Sequence, residues 1–423
     1  MRIVLSTFGT FGDVNPLIAL ALELKRRGHQ PVLAVPEMFR PKIEPLGIRF
    51  SPVRPDQDQS NKQLVAMIYD KKTGTEYGLR KFLFPALRQS YDDLLAAVEA
   101  DGGADLLVTG ELAYAGPIIA EKTGIPWATY VLAPFSFFSA YDPPVLPPYP
   151  GLARAQAVTP GLGHVVNRFA RRVTRGWPKP VYELRRELGL DRGKDPIFDA
   201  KHSEALVLAL FSRVLGDRQP DWPRSTVISG FVFYDGDAGH SGLSPELERF
   251  LAAGPPPMVF TLGSAAVLDA GDFYEQSAQA AKLGDVRAVL LVGNDPANVP
   301  KLPLPENICI AKYAPYSQLF PRASVIVHQG GVGTTAQALR AGKPMLVMPY
   351  SHDQPDNARR MKRLGVAKVV QRKNYTAEKA SRFILELLRN TTYSVRATEV
   401  QRRMAAENGL ETACNALENL LNR

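Results

Sequence analysis

The apolar residues of this chain come in short runs, and the runs alternate with stretches of helical spacing. Ile3-Val4-Leu5 reads as a first strand. Leu17 to Arg27 follows as an amphipathic helix, with Asn15 as its N-cap, Pro16 at its first position and Gly28 as its stop. Pro31 to Val35 makes a second strand, and the alternation continues through Leu106-Leu107-Val108 and Trp127-Ala128-Thr129-Tyr130-Val131. Strands joined in this way by helices imply a parallel sheet. Residues 134 to 161 break the rhythm with closely spaced prolines and aromatics, which predicts a long ordered loop.

A second series begins further on. Tyr234 to Gly242 is polar and glycine-rich, as linkers are, and after Pro255-Pro256-Pro257 come Met258 to Leu262, Val289 to Val292, Ile308 to Ile310, Val325 to Val327 and Met345 to Met348. The expectation is an α/β chain of two Rossmann-like, doubly wound parallel-sheet domains facing a central cleft. The boundary near Gly230 divides it into residues 1–230 and 231–409. A length of 423 residues with 45% hydrophobic content suits two such cores.

Chemistry concentrates in one stretch. His328-Gln329-Gly330-Gly331-Val332-Gly333-Thr334-Thr335 lies between the run Ala323 to Val327 and the helical composition of Thr335 to Ala341, so its glycines occupy a strand-to-helix turn. Such a turn offers N–H groups at the positive end of a helix, and Gly330, Gly331 and Gly333 let backbone donors close on a phosphate. Thr334 and Thr335 add hydroxyls, and His328 can donate to a phosphate oxygen. An ordinary tight loop has the same glycine content; the neighbouring Asp353-Gln354 separates the readings, because a carboxylate beside an amide clamps vicinal sugar hydroxyls. Asp353 can equally be a helix start, since Pro355 and Asp356 follow. Asp13 falls in the turn between the first strand and first helix, at the carboxyl end of the sheet, where open α/β folds place ligands; by itself it reads equally as a turn residue.

With these residues in view, the chain resembles the bacterial and fungal branch of the UDP-glycosyltransferases of the GT-B fold, which contains sterol glucosyltransferases, antibiotic glycosyltransferases and rhamnosyltransferases. The resemblance spans essentially the whole chain. It is carried by Ser6 to Leu17, by Phe260-Thr261-Leu262-Gly263-Ser264, and by Tyr313-Ala314-Pro315 through Gln354. It implies metal-independent, inverting transfer of a hexose from a nucleotide diphosphate sugar, with no cofactor, to a hydroxyl of a hydrophobic small molecule. Asp13 matches the branch's proposed general base, where plant and animal relatives carry His. Gly12 would contact the donor, Gly263 and Ser264 would meet the pyrophosphate, and His328 would stabilise the leaving diphosphate. Tyr313, beside Ala314, stands where relatives often have Trp and offers a face for the nucleobase. The resemblance favours UDP-glucose as donor; Tyr316 in place of a common Gln, and the lack of an evident ribose-binding Glu around Ala336 and Gln337, leave the nucleotide open and allow a dTDP-sugar. The last helix, 410–423, is implied to cross back onto the first domain.

Phe135, Phe138 and Tyr141, with Pro134 to Pro150 and the more distant Tyr69 and Tyr77, are candidates for an apolar acceptor cleft, against the alternative of core and loop packing. The net charge of +9 and pI near 9.4 suggest attraction to anions. Nucleic acid is set aside, for there is no RNA-binding aromatic motif, zinc finger or concentrated basic tail. The densest basic run, Arg168 to Arg186, reads as a solvated helical face whose Phe169, Val173, Trp177, Val181 and Leu184 are core anchors; the sharper reading is a weak peripheral membrane contact. Cys309 and Cys414 form neither a disulfide framework nor a metal cluster, and Met1 to Leu5 passes directly into a strand, which together predict a cytoplasmic protein. Two other functions share the architecture. A nucleotide-sugar epimerase would convert its donor with no acceptor, and a non-catalytic auxiliary homologue would be expected to lack Asp13 or His328. A nicotinamide dehydrogenase is disfavoured, because Gly9-Thr10-Phe11-Gly12 is not the dinucleotide fingerprint.

Overall fold

The computed structural model describes residues 1–56, 61–236, 242–301 and 303–422. Two all-parallel sheets organise the chain. The first contains β1 (Arg2–Ser6), β2 (Gln30–Val35), β3 (Arg49–Pro52), β4 (Leu106–Gly110), β5 (Trp127–Val131), β6 (Leu206–Ala209) and β7 (Thr226–Ile228), in the order β3-β2-β1-β4-β5-β6-β7. The second contains β8 (Met258–Thr261), β9 (Ala288–Leu291), β10 (Ile308–Ala311), β11 (Ile326–His328), β12 (Met345–Val347) and β13 (Ala367–Val369), in the order β10-β9-β8-β11-β12-β13. Helices cover both faces of each sheet, so strand residues such as Ile3, Val4 and Leu5 are apolar and buried without alternation. In both sheets the winding reverses, between β1 and β4 and between β8 and β11. Open α/β sheets receive ligands at that reversal, which directs attention to the loops after these four strands.

Six helices matter for the site: α1 (Phe11–Arg26), α2 (Lys62–Ile68), α3 (Pro160–Thr174), α4 (Val332–Arg340), α5 (Gln354–Leu364) and α6 (Gly409–Leu421). The start of α1 differs from expectation. Thr10, not Asn15, is its N-cap: the Thr10 hydroxyl accepts from the Gly12 N–H at 3.2 Å, and Asp13 Oδ2 accepts from the Thr10 N–H at 2.7 Å. This reciprocal pairing satisfies two N–H groups and draws the helix start forward, so Pro16 lies inside the helix and Asp13 is its third residue rather than part of a turn. Helix α4 likewise begins at Val332, three residues before the helical composition becomes obvious at Thr335. The proline-rich segment is mostly loop, interrupted by a short turn of helix at Pro134–Phe137 and a short helix at Leu152–Gln156. Of the linker read over Tyr234 to Gly242, residues 237–241 lie outside the described residues.

The two layers are apposed. Val131, Phe211, Leu215 and Trp222 from the first share one buried cluster with Val259, Val347 and Met361 from the second. The last helix, α6, returns to the first sheet, where Cys414 and Leu417 pack with Ile3, Leu17 and Leu20. Polar contacts reinforce the return: Arg27 donates to Asn415 Oδ1 at 2.6 Å and to Glu418 Oε2 at 2.8 Å. Both cysteines are free thiols, and no helix among the described residues is long and apolar enough to cross a membrane.

Candidate active site

The turn after β11 is built around a backbone that only glycine tolerates at one point. Gly330 has φ +88°, and a Cβ there would stand 2.9 Å from Val347 Cγ1 and 3.2 Å from the Gln354 carbonyl oxygen. The Gly330 N–H donates to His328 Nδ1 at 3.0 Å. That bond fixes the tautomer: the ring proton sits on Nε2, which is buried and has no protein partner. Burial drives the His328 pKa down to about 3, so the ring is a neutral N–H donor at ordinary pH. Beside it, α4 has Gly331 as its N-cap and so no side-chain cap, leaving first-turn N–H groups for a ligand. The space in front of Gly333 is open, and Thr334 and Thr335 are buried beside it.

The turn after β8 meets this cradle. A Cβ on Gly263, at φ +67°, would fall 2.4 Å from Gln329 Nε2 and 3.3 Å from Thr334 Oγ1, so the two turns face each other at the point where the second sheet reverses. Ser264, next to Gly263, is exposed there. Gln329 is a residue to which sequence reasoning assigns no role; its amide nitrogen lies between Gly263 and Gly331, and its buried oxygen has no partner. Tyr316 is not a ligand-facing side chain. It is stacked on Phe320 with centroids 4.3 Å apart and shares a hydrogen bond of 2.8 Å with the Thr261 hydroxyl. Tyr313 is half exposed, while its neighbour Ala314 is buried.

Asp353 and Gln354 open helix α5 under the same turn. Asp353 occupies the N-cap position, with Gln354 and Pro355 opening the helix as the helix-start reading expects, but its side chain makes no capping bond; Oδ2 accepts instead from Asn357 Nδ2 at 2.7 Å. The same Asn357 Nδ2 lies 3.0 Å from the Gly330 carbonyl oxygen, tying the sugar-clamp candidate to the phosphate-cradle candidate. Asn357 is absent from the sequence-based set, although it stands one helical turn beyond Asp353, where contact is expected. Gln354 is buried, its Oε1 accepting from the Tyr350 N–H at 2.9 Å.

Asp13 faces this assembly from the first sheet. Burial raises its pKa to about 6 against the hydrogen bonds from Thr10, with Glu111 adding repulsion. Burial also raises Asp353 to about 7, opposed by the Asn357 bond and helped by the charge of Asp13. The two carboxylates thus sense each other across the cleft, and Tyr69 senses both. Gly9 makes room for Asp13: at φ +132°, a Cβ would come within 2.2 Å of Asp13 Oδ2. The segment after α2 bridges the layers, with the Tyr69 ring edge-on to His352 at 5.3 Å and Ser351 Oγ donating to the Asp70 carbonyl oxygen at 3.4 Å. His352 itself is held at φ +55°. Glu111, after β4, accepts from Lys201 Nζ at 2.6 Å and from the Ser136 hydroxyl. Its burial is outweighed by the Lys201 charge and these bonds, so its pKa is lowered and it remains ionised near Asp13.

The aromatic candidates divide. Phe135 packs on Phe138 at 5.4 Å, and Phe138, at φ +48°, lines a cavity of about 660 Å³ with Phe137, Phe198, His202 and Trp222. Neither Asp13 nor Asp353 lines that cavity. Tyr141 is exposed against His164 of α3, and Tyr77 ends a separate helical turn, Gly74–Tyr77. Among the described residues no three of His, Cys, Asp and Glu converge to hold a metal ion.

Two doubly wound parallel sheets apposed over a shared buried cluster have the GT-B architecture. Residues 3–141 match the glycosyltransferase family 28 N-terminal domain, and residues 278–420 match the erythromycin biosynthesis protein CIII-like C-terminal domain. The O-mycaminosyltylonolide 6-deoxyallosyltransferase of Streptomyces fradiae is 33% identical over 425 residues, covering 99% of this chain and 97% of that protein. The chain belongs to this GT-B glycosyltransferase family, and is a glycosyltransferase. A sterol 3-beta-glucosyltransferase of Neurospora crassa is 30% identical over 443 residues, but the chain spans only 27% of its length. The crystal structure of the kitacinnamycin glycotransferase superposes with a TM-score of 0.71 at 22% identity, covering 99% of each chain. Glycosyltransferase VinC in complex with dTDP gives 0.70 at 20% identity over 100% of each chain.

Proposed function

We propose that the protein transfers a hexose from a nucleoside diphosphate sugar to a hydroxyl of a hydrophobic natural-product or sterol-like molecule, with inversion at the anomeric carbon. The observation that carries this reading is the interaction of the Asp13 carboxylate with Asp353, which Asn357 ties to the turn where the neutral His328 imidazole keeps an N–H without a protein partner. The diphosphate would rest on the first turn of α4 and on His328, with Gly263 and Ser264 on its other side. Asp353 and Gln354 would hold the hexose hydroxyls. The acceptor oxygen attacks the anomeric carbon as its proton passes to Asp13. The bond from that carbon to the diphosphate oxygen breaks with its electron pair, and the growing charge meets the His328 Nε2–H and the helix amides. A carboxylate whose pKa is raised to about 6 is a better base than an exposed one and is still ionised at neutral pH. One displacement gives the opposite anomeric configuration.

Both UDP- and dTDP-sugars remain candidate donors, since Tyr313 offers a stacking face that does not distinguish the bases, and the VinC structure holds dTDP. The acceptors in the relatives' names, O-mycaminosyltylonolide and sterols, support a hydrophobic acceptor. A donor panel read by release of nucleoside diphosphate, with a pool of hydrophobic alcohols, tests the proposal. Acceptor-dependent release with an inverted product is expected. Conversion of the donor sugar without acceptor would replace the reading with epimerisation, and retained configuration would remove the single-displacement mechanism.

A further inference from the structure

Helix α3 is assembled inside out. Its polar and small positions face the protein: a Cβ on Gly163 would lie 2.6 Å from the Ala140 carbonyl oxygen, Asn167 Nδ2 donates to the Phe138 carbonyl oxygen at 2.5 Å, and Arg171 Nη1 pairs with Asp199 Oδ2 at 2.5 Å. Those residues recur every fourth position on one side. On the opposite side Leu162, Val165, Phe169 and Val173 form a stripe at helical spacing, and the last three are 59%, 65% and 57% exposed. Val158, just before the helix, is 82% exposed and Tyr149 is exposed as well. The expectation that Phe169 and Val173 anchor in the core is therefore overturned. Further along the same basic run, Val181 and Leu184 are buried as expected. The helix is held by its polar face, which leaves the apolar one outward and unpartnered.

Charge says what covers it. Residues 143–182 contain no Asp or Glu, while Arg154, Arg168, Arg171, Arg172, Arg175 and Lys179 fall within them. Arg171 is engaged with Asp199, but Arg172 and Arg175 are exposed beside the stripe. An apolar ridge with the exposed Arg172 and Arg175 at its edge, on a segment without acids of its own, matches a bilayer surface: acyl chains accept Phe169 and Val165 while anionic headgroups receive the guanidinium groups. We propose that α3 is an interfacial helix by which the protein lies on membranes containing anionic lipid.

Co-sedimentation of the full chain with vesicles of phosphatidylcholine alone, and with phosphatidylglycerol added, tests this. Binding is expected only to the phosphatidylglycerol vesicles and should weaken as salt rises. The double variant Val165→Ser/Phe169→Ser should lose about tenfold or more in partitioning, by removing apolar area that enters the bilayer. Arg172→Gln and Arg175→Gln should each lose about fivefold. All these side chains are exposed, so unchanged thermal midpoints would show that the fold is intact. Absence of binding to phosphatidylglycerol vesicles at low salt, or equal binding by the double variant, overturns the proposal. Sedimentation velocity without vesicles decides the competing occupant: a dimer that the same double variant dissolves assigns the face to a second copy and also overturns it.

Discussion

His328 and Asp13 are pushed in opposite electrical directions by the same cause. Burial disfavours the charged form of each, which makes the imidazole neutral and the carboxylate more basic. The proposed chemistry needs both results: a proton acceptor for the attacking oxygen and an N–H donor that is not itself a cation. The pH profile follows with a definite sign. Asp13 must be ionised, and Asp353 is proposed to receive the sugar hydroxyls as a carboxylate, so kcat/KM should rise through pH about 6 to about 7 and level off above that. His328, already neutral across this range, should add no limb of its own, so the profile of His328→Ala should keep the same shape. Asp13→Asn keeps an oxygen able to accept from the Thr10 N–H, so the helix start survives while the base is lost. Turnover should fall about 10²–10⁴-fold with donor affinity, measured by calorimetry, little changed; near-normal turnover would end the base assignment. His328→Ala should cost about 10²–10³ in kcat by removing one donor from the leaving group, with a smaller effect on KM. An equal effect on donor Kd and none on kcat would mean that His328 only binds.

At the scale of elements, α5 joins the two functions of the cleft. Its first residue beyond Asp353 is the sugar-clamp candidate Gln354, and within the next two turns Asp356 and Arg360 are buried against the first layer. Asp356 Oδ1 accepts from the Val145 N–H at 3.0 Å, and Arg360 reaches Asp356 at 2.6 Å, Asp142 at 2.5 Å and the Leu215 carbonyl oxygen at 3.1 Å. The proline-rich loop is thereby fastened to the helix that presents Asp353. Arg360→Met would leave Asp356 and Asp142 without their shared cation, a loss expected to lower stability by about 3–5 kcal/mol in urea unfolding. Adding Asp142→Asn should recover part of it, and independent, additive effects of the two changes would refute the network. Little of this is legible in sequence. Arg360 is one of several basic residues in α5, and its burial follows only from where the loop lands. Four strands escape reading, and three have a similar explanation: β3 runs from Arg49 to Pro52 at an edge, and β7 and β13 are three residues long, so the sheet rather than the local pattern makes them strands, whereas β6 escapes although its run is apolar and buried. The glycine turns were legible because a positive φ or a close approach leaves only glycine, as at Gly330 and Gly263. Asp13 was legible in position but not in geometry, since the capping box at Thr10 depends on the chain's exit from β1.

For the molecule as a whole, a buried apolar cluster and the Arg360 network hold the layers together, while Asp13 and Asp353 oppose their approach. Both carboxylates have folded-state pKa values raised above the unfolded ones, to about 6 and about 7. Their protonated forms are favoured in the folded state, so this contribution to stability is complete below the unfolded values near pH 4 and is lost as pH rises through 6 and 7. At pH 8 the ionised pair costs stability, an effect of about 1–3 kcal/mol once solvent in the cleft is allowed for. Asp353→Asn should therefore stabilise the protein at pH 8 and have little effect near pH 4, because Asn can still accept from Asn357 while carrying no charge. It should also weaken hexose binding, raising the donor KM, since the carboxylate that repels Asp13 is the one proposed to receive sugar hydroxyls. Thermal midpoints measured across that pH range decide the matter. A destabilised variant at pH 8 would show that the carboxylate is held by favourable contacts, and the two aspartates would then not be opposed across the cleft. The expected result would mean that the fold keeps, at a cost in stability, a charge that only a bound sugar satisfies.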